Sequence, residues 1–138
     1  MATDLNEIVF NALTADAGIT ALVGTRIRPD ILDNGETMPA IVYWRVSGIH
    51  YNTIDGAFAE IAEARYTIEA YAVTRKAANA LAEAVRLRMI DLPTVNTTVR
   101  HVSVESGQQH YTNGPIDGTE VSRYVTAQDF RLTFIEDV

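Results

Sequence analysis

The sequence contains no cysteine, which excludes disulfides, thiolate catalysis and cysteine-ligated zinc or iron–sulfur sites. It also has no stretch close to the ~18–20 apolar residues of a membrane span. The first residues, Met-Ala-Thr-Asp, carry neither the basic region nor the apolar run of a signal peptide. These absences predict a soluble protein, made in a cytoplasm, with no membrane partner.

Basic residues are few, and Lys76 is the sole lysine among 11 basic residues, against 18 acidic ones. The net charge of −7 argues against wrapping nucleic acid, which requires lysine and arginine to displace counterions. An acidic surface could still face DNA and let it slide past. The excess of arginine over lysine fits protein interfaces, and it fits a GC-rich genome equally well.

The sequence also lacks the motifs of a reaction centre. No two of His50, His101 and His110 have the i, i+4 spacing of a helical metal site. His101 and Glu105 would share a strand face but lie about 13 Å apart, too far for one metal ion. The nucleophile motif GxSxG and the phosphate-binding motifs GxGxxG and GxxxxGK[ST] are missing too. The sequence therefore indicates no catalysis, metal or cofactor.

The clearest structural signal runs from Ala64 to Ile90, where a two-residue period changes into a helical one after Thr74. Thr74 can cap the helix and Pro93 can end it. The predicted buried stripe is Ala78, Leu81, Ala82, Val85, Met89 and Leu92. This unit supplies a sheet strand and the helix that covers it.

The rest of the chain predicts one helix and further strands. A helix spans Asp4 to Thr14 with Asp4 as its cap, and a short turn follows around Ile19 to Val23. Predicted strands cover Arg26–Pro29, Ala40–Ser47, Val99–Ser106 and Val121–Ile135, the last with a bulge near Gln128–Asp129 to reconcile its apolar phase. We predict a single α+β domain over residues 1–138, with a mostly antiparallel sheet of four to five strands and two helices packed on one face.

Two connections are longer than a hairpin needs, His50 to Glu63 and Gly107 to Glu120. The first is acidic and apolar, which is typical of a loop that meets a partner. A loop that folds back over its own sheet, or a long hairpin that extends the flanking strands, would explain it equally well. The candidate contact residues in these two connections are Tyr51, Ile54, Asp55, Phe58, Glu60, His110, Tyr111, Asn113 and Asp117.

A third candidate surface is basic and lies on the predicted long helix. Its residues are Arg75, Lys76, Arg86 and Arg88, opposed only by Glu83. Either this is a solvated helix face or it meets an acidic neighbour. Opposite charges in different places suit head-to-tail association, which closes into a ring.

Several landmarks along residues 5–135 resemble the tail-completion, or tail-terminator, proteins of long-tailed phages and gene transfer agents. The matching pieces are Leu22-Val23-Gly24, Arg26-Ile27, Pro29, Met38-Pro39-Ala40-Ile41-Val42-Tyr43, Arg45-Val46-Ser47, Asp55-Gly56, Ala64-Arg65, Ile68, Tyr71-Ala72 and the helix Ala77 to Leu87. Each piece is a weak motif, and their order and spacing carry the resemblance. Residues 94–120 show no family signature.

The resemblance implies a small α+β subunit of a homo-oligomeric ring, typically a hexamer, with no catalysis. The ring would sit on the last ring of the tail tube in the virion, stop tube growth and bind the head connector or stopper protein. DNA would pass through its lumen without specific binding.

Three alternatives remain open. Another neck or tail-tube protein would differ in the number of rings per particle. A small enzyme or ligand-binding domain would need a concave pocket that joins His50, His110 and loop carboxylates. A nucleic-acid-binding module is opposed by the acidic charge balance.

Overall fold

The computed structural model describes residues 4–32, 36–52, 58–96, 98–113 and 123–135, without the side chains of 49–52, 58–60, 106, 107 and 113. In chain order the elements are α1 (Leu5–Ala15), α2 (Ala17–Val23), β1 (Ile27–Pro29), β2 (Ala40–Asn52), β3 (Phe58–Ala72), α3 (Arg75–Ile90), α4 (Leu92–Val95), β4 (Val99–Asn113) and β5 (Arg123–Ile135).

The five strands form one sheet in the order β1-β2-β3-β5-β4. β1 pairs with β2 in parallel, and the other neighbouring strands are antiparallel. The predicted α+β class and mostly antiparallel sheet are confirmed. The described residues contain four helices where two were predicted, because the turn around Ile19 closes into α2 and Leu92–Val95 forms the one-turn α4.

The helices begin at polar caps that the sequence already contains. The Asp4 carboxylate accepts from the Glu7 amide at 3.2 Å, and Thr74 Oγ1 accepts from the Ala77 amide at 3.1 Å. Asp16 caps α2 in the same way, through the Ile19 amide at 3.0 Å. These bonds satisfy amides that have no partner within their own helix.

One face of the sheet, which we call the helix face, packs against the helices and builds the main core. Every residue of the stripe predicted for the long helix is buried, and all but Ala78 belong to this core, so that prediction is confirmed. The sheet contributes chiefly Tyr66 and Ile68 from β3 and Phe130, Leu132 and Phe134 from β5. On the other face, here the outer face, a small cluster joins Val42, Tyr71 and Val125, with Leu32, Met38 and Trp44 packed against it.

The bulge was predicted in the last strand, β5, and this prediction is wrong. β5 pairs with β3 in unbroken register, and the irregularity lies in β4, where the step from Glu105 to Gln109 faces only Asp129 to Ala127. The apolar phase of β5 slips because both of its faces are covered near residue 126. Val125 joins the outer cluster, whereas Gln128 donates to the Ala82 carbonyl of α3 at 2.8 Å.

The two long connections are largely strand. β2 runs on to Asn52 and β3 begins at Phe58, while β4 runs to Asn113. In the first connection, β2 and β3 extend as a long hairpin, which is one of the two structural explanations that the sequence left open. No helix within the described ranges is both long and apolar enough to cross a membrane.

Candidate assembly surfaces

The two hairpins leave the sheet at opposite ends. Ile61, close to the β2–β3 hairpin, pairs with Ile135 at the end of β5. Ala72, at the other end of β3, pairs with Tyr124 at the start of β5, where the β4–β5 hairpin closes. Because β5 is antiparallel to both β3 and β4, one subunit presents a hairpin at each end of its sheet.

Several of the predicted contact residues belong to the ends of these hairpins. Tyr51 lies near the end of β2, Phe58 and Glu60 begin β3, and Asn113 ends β4, in each case without a described side chain. The predictions for Ile54, Asp55 and Asp117 lie outside the described residues.

Arg75 joins the start of α3 to the base of the β4–β5 hairpin. Its guanidinium donates to the Val125 carbonyl at 2.7 Å and to the Tyr111 carbonyl at 2.8 Å. It also donates to Thr126 Oγ1 at 3.2 Å and lies 5.5 Å from the centre of the Tyr124 ring, within cation–π range. The structure therefore brings Arg75 and Tyr111 together, and His110 Nδ1 lies 3.5 Å from the same guanidinium.

The four predicted basic residues of α3 do not share one surface. Arg88 donates through Nε to the Ala12 carbonyl of α1 at 2.8 Å. Arg86 pairs with Glu83 on the same helix, which neutralises it. Lys76 is exposed, and no bond or ion pair involves it among the described residues. In the part of the chain that the structure describes, three of the four basic side chains of α3 are therefore bonded within the subunit, and Lys76 is the one that is not.

The outer face carries a ladder of paired charges across three strands. Asp129 of β5 accepts from Arg65 Nε at 3.1 Å and from Thr67 Oγ1 at 2.7 Å. Arg131 lies between Glu105 of β4, at 2.7 Å, and Glu63 of β3, at 3.8 Å. The sequence analysis did not single out this ladder, although polar or charged residues occupy every second position of β3 from Glu63 to Glu69.

Glu69 lies on the same face next to the apolar cluster and is buried. Burial raises the pKa of its carboxyl above the ordinary value, and the hydrogen bond from Tyr71 at 3.3 Å opposes that shift. Burial likewise raises the pKa of Tyr66 to about 12 on the helix face. The Tyr66 hydroxyl there donates to Asn6 of α1.

The sequence analysis also missed an apolar surface on α3. Leu87 is 56% exposed and Ile90 is 42% exposed. Both line a cavity of about 350 Å³ together with Asp16, Arg88 and Asp91. A helical projection could have found it, because position 87 falls on the polar side of the helix, four residues after Glu83.

Chemically, these surfaces suit contact between proteins. Within the described part of the chain, no three histidine or acidic side chains come close enough to hold a metal ion. The described cavities at α1, α3 and α4 are open grooves lined by aliphatic side chains, Arg88 and polar rim residues.

Comparison with known proteins gives one family and one fold. The family model described as "Tail completion protein gp17" matches residues 7–115. Among solved structures, a chain of the virion of a native gene transfer agent (GTA) particle has a similar fold, with a TM-score of 0.66 and 17% sequence identity. That alignment covers 96% of this chain and 95% of the other. Comparison with curated protein sequences yields no significant match.

Proposed function

The chain belongs to the tail completion protein gp17 family, and we propose that it forms a ring at the head-proximal end of the tail tube. Membership of this family makes it a structural protein of the phage tail and a virion component, not an enzyme. The ring would end tube growth and offer the surface to which the head connector or stopper protein binds.

The observation that carries this proposal is the placement of the two long hairpins at opposite ends of one sheet. A subunit between two neighbours in a stack needs a contact on each side. The β2–β3 hairpin and the β4–β5 hairpin offer one each, so one would reach the tube protein and the other the connector or stopper. Residues 45–48 and 108–112, in the described stems of these hairpins, are exposed and so available for such contacts.

The homo-oligomer is a hexamer in this proposal, and DNA passes through its lumen without specific binding. The net charge of −7 supports a channel that repels phosphates, since specific or tight binding would need a basic surface. The described residues support this, because Arg65, Arg86 and Arg131 are paired with carboxylates of their own subunit.

Hairpin shortening tests the proposal. One variant joins Asn52 to Phe58 with a two-residue turn, and the other joins Asn113 to Arg123 in the same way. Each variant is added to an extract that makes heads and tails but lacks this protein. We expect both to remain folded by circular dichroism and to fail in joining, with only one of them still found on isolated tails.

Normal joining by both variants would contradict the proposal. Retention of both variants on tails, or loss of both, would contradict the assignment of the two hairpins to opposite neighbours. Immunogold labelling of joined particles separates a terminator from a tube protein, because one ring gives a single site at the neck whereas tube subunits label the whole tail.

A further inference from the structure

The solvent-facing side of α3 carries two large apolar side chains among its polar residues. Residues 76, 80, 83, 87 and 90 recur at i, i+4, i+7, i+11 and i+14, directly opposite the buried stripe. Leu87 lies on this outer side and is 56% exposed, and Ile90 follows it at 42%. Leu87 and Ile90 are neighbours on the helix surface, so together they form an apolar patch that a partner can cover.

The charges on this stripe are arranged with opposite signs at its two ends. Lys76 lies at the beginning of α3, and Asp91 follows its last residue. Near the middle, Glu83 and Arg86 form an ion pair and leave no net charge. A second α3 laid antiparallel across the first would therefore place a cation against a carboxylate at each end.

The sizes of the side chains match in the same arrangement. Lys76 and Asp91 are equally far from a point between Glu83 and Ala84, and the two-fold axis of such a pair would pass through that point. Ala80 and Leu87 are also equally far from it, so the leucine of each copy would rest on the exposed alanine of the other. At the acidic end, Asp16 and Asp91 line the 350 Å³ cavity together with Arg88, whose Nε is held by the Ala12 carbonyl, so two carboxylates and one cation face the incoming ammonium group.

We propose that α3 is a self-complementary contact through which two free copies of this chain pair antiparallel about a two-fold axis. In the pair, Lys76 binds between Asp91 and Asp16 of the partner subunit, and Leu87 packs on the partner's Ala80. A helix pair of this length buries less than the roughly 800 Å² per partner of a standard interface, so the association is weak. The pair concerns the protein before assembly and does not depend on the ring proposed above.

Sedimentation velocity tests the contact over concentrations from about 10 μM to about 1 mM, where an interface below standard size associates. The wild-type chain is expected to shift from monomer to dimer across this range. Leu87→Gln replaces an exposed side chain, so it should leave the fold intact and keep the chain monomeric throughout. Lys76→Glu should weaken the dimer about 5- to 30-fold, since two exposed attractions become repulsions.

The register is tested by mixing two charge-reversed variants. Lys76→Glu and Asp91→Lys each place like charges together in their own dimers, whereas a mixed dimer has opposite charges at both ends. An equimolar mixture should therefore regain wild-type affinity. Arg100→Glu is the matched control, because Arg100 is exposed on β4 and its reversal changes the net charge by the same amount.

Three results would overturn the inference. The wild-type chain could remain monomeric up to the highest concentration, the mixture could fail to associate better than either variant alone, or Arg100→Glu could weaken association as much as Lys76→Glu. The Asp91→Lys variant must melt like the wild type for its result to count, because Asp91 also accepts a hydrogen bond from Thr94. If it does not, Thr94→Val, which removes the same hydrogen bond and changes no charge, gives the stability and association baseline against which the mixture is compared.

Discussion

Replacing Arg75 with methionine should loosen the β4–β5 hairpin and leave the rest of the domain almost unchanged. The guanidinium donates to the Val125 carbonyl at 2.7 Å and to the Tyr111 carbonyl at 2.8 Å, and it stacks on Tyr124. Methionine keeps the aliphatic stem and removes every one of these contacts. A cation in the first turn opposes the helix dipole, so its loss returns only a few tenths of a kcal/mol.

The size of the effect follows from the burial of the two carbonyls. Hydrogen bonds from a charged donor each contribute about 1.5–3 kcal/mol. The Tyr111 bond is exposed, so water replaces much of it, whereas the Val125 bond is partly buried. With about 0.5 kcal/mol for the stacking, we expect a loss of about 2–3 kcal/mol in the free energy of unfolding. For a chain of this size that lowers Tm by about 6–10 °C.

Hydrogen exchange locates the loss along the chain. Amides of Gln109–Thr112 and Arg123–Thr126 should exchange faster in Arg75→Met, while those of α1 keep their protection relative to global unfolding. Arg86→Met is the matched control, because Arg86 pairs only with Glu83 at the surface and its loss should cost less than about 0.5 kcal/mol. Equal destabilisation by both variants, or faster exchange spread evenly over the sheet, would refute the reasoning.

Four further variants, one of them a surface control, test the core and its buried polar groups. Leu81→Ala should lower the free energy of unfolding in urea by about 2–5 kcal/mol, whereas Leu87→Ala on the outer side of the same helix should change it by less than about 0.5 kcal/mol; similar losses would contradict the burial pattern. Tyr66→Phe should cost about 0.5–1.5 kcal/mol by removing the hydrogen bond to Asn6, and no loss would mean that water replaces it fully. Glu69→Gln should stabilise the fold increasingly from pH 4 to pH 7. Burial raises the pKa of Glu69 in the folded state, so that state holds the proton longer and stability falls as pH rises. A urea midpoint difference that does not change with pH would contradict this.

The sequence was most informative where an element buries only one of its faces, because its apolar residues then follow a single period. The helical stripe could be predicted because its six residues are all buried, five of them in the one core between the helices and the sheet. The same helical period also places Leu87 on the otherwise polar outer side of α3, so its exposure could have been predicted from the sequence. The β5 pattern was misleading because Val125 and Gln128 are both buried, on opposite faces, and local alternation does not show that both faces are covered.

Hydrogen bonds between residues far apart in the chain could not be predicted from any pattern in the sequence. Arg75 and Tyr111 are 36 residues apart, and their contact depends on the register between β4 and β5. Arg88 likewise reaches the Ala12 carbonyl across 76 residues. Grouping Arg75, Arg86 and Arg88 by their closeness in sequence therefore predicted one basic surface, whereas each of them has a different partner in the fold.

The most direct test of the account is electron microscopy of particles made in cells in which this chain is absent. A ring that ends the tail and binds the head predicts filled heads and separate tails, with joining restored when purified wild-type protein is added to the lysate. Complete particles with tails of normal length in the absence of the chain would contradict it.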